Sequence, residues 1–129
     1  MTAGTATEPV IVDSSGWLEY FTQDVNAKAF EPYLEGSRPL LVPAIVLYEV
    51  KKKILQIGTK TEADRFVSQA CQRQVVPLDE YLALAAAEVS IRHRLAMADS
   101  IIYATARTFG AELVTSDQAF QGLPGVALI

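Results

Sequence analysis

The chain has 129 residues, half of them apolar and 20 % charged, with a net charge of −4 and a single cysteine. That length and apolar content suit one domain around one core and argue against disorder. A lone cysteine excludes an internal disulfide and suits a reducing cytoplasm, and the acidic balance argues against a protein that holds duplex nucleic acid by charge alone.

Met1–Glu8 is small and polar, without the basic and hydrophobic regions of a leader, and is expected to be a loose tail ahead of a domain over residues 9–129. Val10–Val12 reads as a short buried strand that stops on Asp13, and Ser14–Phe21 as a helix. Asn26–Glu35 is helical in pattern, with Pro32 uncomfortable inside it. After a strand at Leu40–Val42, Pro43 suits a first helical turn and Gly58 the C′ position. Between them Val46, Val50, Ile54 and Ile57 form an apolar stripe.

Thr61–Gln74 reads as the next helix, with Thr61 as N-cap, Glu62–Asp64 in its first turn and Cys71 as a small buried hydrophobe. A strand at Val75–Val76 precedes a helix capped by Asp79, which runs through Ala83, Ala85, Ala86 and Ala87 towards His93. A last helix over about Asp99–Phe109 stops at Gly110, and strands follow at Glu112–Thr115 and Val126–Ile129. Short apolar strands alternating with helices predict an α/β fold, a parallel sheet covered on both faces. No apolar run approaches the roughly 20 residues of a membrane span.

In such a sheet ligands bind at the carboxyl ends of the strands. Asp13 ends the first strand and Asp117 follows the fourth, while Glu49 lies a turn and a half into the helix after the second. Asp99 opens a helix that does not directly follow a strand, so its nearness to the others is an expectation only. Each acid also has a plain structural reading. Asp13 and Asp99 could cap helices, Glu49 could pair with Lys53, and Asp117 could be a turn residue before "QAF". Taken together they point further. Like charges about 4 Å apart repel by about 4 kcal/mol at an effective dielectric near 20, and a divalent cation removes that cost. An all-oxygen donor set selects Mg²⁺ or Mn²⁺, whereas zinc would want partners that His93 and Cys71 lack.

The segments "VIVDSS", "VPAIVLYEV", "LAMADSIIYATA" and "LVTSDQAF" occur in this order. Together they resemble the four acidic motifs of PIN-domain nucleases, most closely the small VapC-type ribonuclease toxins of toxin–antitoxin systems. The resemblance runs from Pro9 to Ile129 and implies a single PIN-like domain with a five-stranded parallel sheet in the order 3-2-1-4-5. It maps the family's metal-ligating acids onto Asp13, Glu49, Asp99 and Asp117, and its hydroxyl positions onto Ser14 and Thr115. Where the family often carries an acid or amide two positions after the fourth acid, this chain has Ala119, which argues against a strongly held second metal.

What the resemblance implies is a cytoplasmic, Mg²⁺- or Mn²⁺-dependent endoribonuclease, silenced by a cognate antitoxin protein and assembled as a homodimer through helices between Thr61 and His93. For the RNA, Lys51, Lys52 and Lys53 form the densest basic cluster, followed by Arg92 and Arg94; Lys52 and Arg92 are the substrate contacts expected, and a solvated helix face is the plain alternative. His93 is expected at the surface or boundary, with substrate contact as the other reading. Trp17, Tyr20 and Phe21 either stack bases or belong to the core. The main rival is a non-catalytic RNA- or partner-binding module on the same fold. A phospho-receiver domain would want an acidic pair after the first strand and a lysine near the last, and a flap nuclease would want insertions for which this chain has no room.

Overall fold

The computed structural model describes residues 7–129. The tail expected over Met1–Glu8 lies outside the described residues except for Thr7 and Glu8, both exposed.

Three β-branched residues, Val10–Val12, form β1, and all three are fully buried. A strand with no exposed face must sit mid-sheet with layers on either side. β1 pairs in parallel with β2 (Leu40–Pro43), through Val10 with Leu40 and Ile11 with Leu41. On its other side it pairs with β4 (Glu112–Thr115), Val12 facing Val114. β3 (Gln74–Val76) and β5 (Val126–Leu128) complete the edges, giving the five-stranded order β3-β2-β1-β4-β5. The parallel order expected from the resemblance is therefore the order found.

Helices α1 (Ser14–Thr22) and α2 (Ala27–Leu34) join β1 to β2, and α3 (Ala44–Ile57) and α4 (Lys60–Cys71) join β2 to β3. α5 (Glu80–His93) and α6 (Met97–Phe109) lead back across to β4. Right-handed crossovers place the helices that follow β1 and β2 on one face of the sheet and those that follow β3 on the other. The main core runs from Trp17 and Phe30 through the strands to Phe66 and Phe120, and a smaller cluster of Ala86, Ile101 and Ala104 packs against Ile45, so α3 bridges the two layers.

Several boundaries differ from the sequence reading, each for a local reason. Pro43 ends β2, pairing with Val76, and serves as N-cap of α3 instead of entering its first turn. Gly58 is the C-cap of α3 at φ −141°, not a left-handed C′ residue; a Cβ there would meet the Glu62 carboxylate at 2.4 Å. That carboxylate is committed to a capping box with Thr59, so α4 starts two residues earlier than a Thr61 cap would allow. Ile57 falls off the buried stripe and is 56 % exposed, while Val46, Val50 and Ile54 stay inside. Cys71, expected as a small buried hydrophobe, is exposed where α4 ends, three residues short of the expected Gln74, which instead opens β3. Pro32 is tolerated inside α2 on an exposed position. Asp79 caps α5 through Leu82 N at 2.9 Å, as read from sequence, and Gly110 closes α6 at φ 64°.

Candidate active site at the carboxyl edge of the sheet

Asp13 is the first residue beyond β1 and the N-cap of α1. Its Oδ1 accepts the Gly16 N–H at 3.0 Å, and the Ser15 hydroxyl lies 2.9 Å from both carboxylate oxygens. Because Val12 faces Val114, Asp13 emerges opposite Thr115, whose hydroxyl donates to Oδ2 at 2.7 Å. Thr115 Oγ1 in turn accepts the backbone N–H of Asp117 at 2.9 Å. The cap of one helix and the end of a strand remote in sequence are thus tied through a single hydroxyl. The Asp13 side chain is almost fully enclosed, and burial pushes its carboxyl up. The bonds from Thr115, Gly16 and Ser15 pull it down, and the Asp117 charge adds to the upward push.

Gly16 makes this closeness possible. A Cβ there would lie 2.5 Å from Val12 Cγ1 and 2.7 Å from Phe30 Cε1. Only a residue without a side chain lets the first turn of α1 settle on β1 and α2.

Glu49, half-buried on α3, accepts the Ser14 hydroxyl through Oε1 at 2.6 Å. It forms no ion pair with Lys53. Asp99 is the third residue of α6, since the helix starts at Met97 with Ala96 as N-cap. Its carboxylate therefore sits in the first turn, where the helix dipole favours negative charge. Even so, Asp99 is pushed up to about 6, first by burial and then by the charges of Asp117, Glu49 and Asp13. Asp117 is half-buried and caps the 3-10 turn Gln118–Phe120 through Ala119 N at 2.9 Å.

The fold thus brings together Asp13, Ser14, Glu49, Asp99, Thr115 and Asp117. Asp99, whose position the sequence left open, is the acid that feels all three others. Lys52 and Arg92 are exposed and form no ion pair with these acids. Lys52 instead lies over the Tyr48 ring, 5.5 Å from its centroid. Trp17 is core: it is fully buried, 5.4 Å from Phe66 and 6.3 Å from Phe21 between ring centroids. His93 is half-buried, its ring meeting Tyr103 edge-on at 5.6 Å.

Two contacts escaped sequence reasoning. Ser116, between Thr115 and Asp117, donates to Glu19 Oε2 on α1, and Asn26 donates to Oε1 of the same carboxylate at 2.8 Å. Glu19 lies six positions after Asp13, and nothing in its helical spacing flags it.

Can these residues hold a metal? The donors are all oxygen, the set suited to a hard dication. Among the described residues no three Asp, Glu, His or Cys side chains stand in position to enclose an ion. The carboxylates interact across a shared space without forming a closed shell. The two ion pairs among the described residues, Arg38–Glu112 and Lys60–Asp64, leave all four acids without a basic partner. Convergent negative charge with no protein cation fits a dication that takes part of its shell from water, as Mg²⁺ commonly does.

The PIN domain family model matches residues 10–126. No curated protein matches the chain in sequence. Among solved structures, a toxin–antitoxin complex from Klebsiella pneumoniae superposes with a TM-score of 0.78 at 20 % identity, covering 92 % of this chain and 95 % of that one. VapBC2 from Rickettsia felis, bound to a DNA fragment from its promoter, gives 0.72 at 14 % identity, covering 94 % and 97 %. VapC20 from Mycobacterium tuberculosis, a sarcin–ricin loop cleaving toxin, gives 0.70 at 19 % identity, covering 91 % and 96 %. A parallel sheet in the order 3-2-1-4-5 with acids at its carboxyl edge defines the class. The chain belongs to the PIN domain family.

Proposed function

We propose that the chain is a metal-dependent endoribonuclease and the toxin of a type II toxin–antitoxin pair. The observation that carries this reading is the meeting of Asp13, Glu49, Asp99 and Asp117 at the carboxyl edge of the sheet. There burial first and then the charges of Asp117, Glu49 and Asp13 push the Asp99 carboxyl up to about 6, and no ion pair among the described residues offsets them. Family membership and the likeness to toxin structures support it.

Asp13 and Asp99 are the principal Mg²⁺ or Mn²⁺ ligands in this reading, directly or through water, with Glu49 and Asp117 completing the set. A bound dication would acidify an attacking water and stabilise charge on the phosphate and the leaving oxygen. The protein's part is orientation. Ser15, Gly16 and Thr115 fix the Asp13 carboxylate from three directions. The Ser14 hydroxyl occupies one Glu49 oxygen and leaves the other to orient water. The water oxygen bonds to phosphorus, the P–O3′ bond breaks, and O3′ leaves with a proton. The products carry a 5′-phosphate and a 3′-hydroxyl.

An antitoxin supplying a basic side chain to the acidic pocket would satisfy the same charges and block RNA. Homodimerisation is assigned to α5, where Tyr81, Leu84 and Ile91 are 65, 68 and 83 % exposed along one stripe. The rival module without catalysis loses the acids' convergence as a consequence of function. The domain spans residues 9–129, within the cytoplasm.

The test is cleavage of defined RNAs in Mg²⁺, Mn²⁺ or EDTA by wild type, Asp13→Asn and Asp99→Asn. Metal-dependent cutting lost in both variants is expected. Equal cutting by folded Asp99→Asn, or cutting in EDTA, refutes the reading.

A further inference from the structure

We infer that Glu19 is a positioning residue for the turn that carries Asp117, acting through Ser116. The inference rests on the nuclease reading and extends it to a residue outside the acidic set.

Thr115 closes β4, and Ser116 and Asp117 join it to the 3-10 turn Gln118–Phe120, each of the three held by a different partner. Thr115 is drawn inward to Asp13, Ser116 outward to Glu19, and Asp117 forward onto the Ala119 N–H. Thr115 and Asp117 are fixed by neighbours within the site. Ser116 alone ties the turn to the body of α1, in its second turn.

Glu19 is itself fixed. Its other oxygen accepts the side-chain amide of Asn26, which occupies the N-cap position of α2 but makes no cap bond there. An Asn at an N-cap ordinarily bonds the first turn of its own helix. Here that bond is forgone and the amide is spent on Glu19. The half-buried carboxylate thus carries two donors from separate elements and, among the described residues, forms no ion pair. This arrangement holds Ser116, and through the backbone Asp117, against the repulsion that four acids exert on the turn. Glu19 touches neither metal nor substrate in this scheme.

Partners that orient a metal's ligands typically change affinity by about 10–100-fold when removed. The test is Mn²⁺ binding to the full chain by titration calorimetry, with urea unfolding alongside. Ser116→Ala and Glu19→Ala are expected to weaken Mn²⁺ binding by about tenfold each, and the double variant by no more than either single. Glu19→Gln keeps an acceptor for Ser116 and should stay within about twofold of wild type. Asn26→Ala cuts only the other arm. It should lower stability and weaken Mn²⁺ binding clearly less than Glu19→Ala does, since the Ser116 bond remains. If folded Ser116→Ala binds Mn²⁺ like wild type while Asp117→Asn does not, the positioning role is overturned and the nuclease reading stands. If Glu19→Ala and Asn26→Ala weaken binding equally, Glu19 is structural only, and the inference fails. Wild type that takes up no Mn²⁺ overturns the metal reading itself, and this inference with it.

Discussion

Thr115 donates its hydroxyl hydrogen to Asp13 at 2.7 Å across 102 positions of sequence. The same oxygen receives the Asp117 N–H at 2.9 Å, so one side chain orders two acids at once. Thr115→Val keeps the shape and removes both bonds. It should destabilise the protein by about 1–3 kcal/mol, the cost of leaving buried polar groups unpaired, measured by urea unfolding. It should also raise the Asp13 carboxyl further, since the Thr115 bond is the largest influence pulling it down. Unchanged stability would show that water replaces the hydroxyl fully.

Asp99 links the site to pH. Its folded value of about 6 lies above the ordinary 3.8, so the folded chain binds its proton more tightly than the unfolded one. Its favourable contribution is complete below about pH 4 and is lost as pH rises through 6. In EDTA the melting temperature of Asp99→Asn should therefore exceed that of wild type by a margin that grows from pH 4 to pH 7. Addition of Mn²⁺ should stabilise wild type alone. A margin independent of pH contradicts the assignment.

Asp13→Ala removes a helix cap as well as a proposed ligand. Loss of the cap costs about 0.5–2 kcal/mol. Asp13→Asn retains the oxygen that accepts Gly16 N and should fold nearly as well as wild type. RNA cleavage should nevertheless fall by about 100-fold or more, beyond the usual effect of an outer partner. Comparing unfolding and cleavage in the two variants separates cap from ligand.

Gly16→Ala is expected to destabilise by about 1–3 kcal/mol, because the added methyl overpacks a site already filled by Val12 and Phe30. Thermal unfolding measures it. A neutral outcome would mean that α1 can shift away from β1 freely, which would also loosen Asp13.

Much of this was legible in the residues. Short apolar runs bounded by polar turns marked all five strands, and Asp79 and Gly110 announced helix ends by chemistry alone. Acids at strand ends marked Asp13 and Asp117, since an ionised group has little reason to close a buried strand. The adjacency of β1 and β4 needed the family resemblance, because short parallel strands do not encode their neighbours locally. Thr59 was passed over for Thr61 because either threonine suits a cap, and only the reach of Glu62 decides between them. Cys71 was read as buried from residue type, but its position on α4 faces outward. Glu19 and Ser116 were invisible because their bond depends on where a helix and a strand end in space.

The four acids come from the junction of β1 with α1, from α3, from α6 and from the turn after β4, segments that the sheet order interleaves. β4 must insert beside β1, late in the chain, before Asp117 can reach Asp13. A chain cut between α6 and β4 retains Asp13, Glu49 and Asp99 but lacks both Asp117 and the Thr115 hydroxyl that bonds Asp13. The centre is thus complete only when β4 lies in place beside β1.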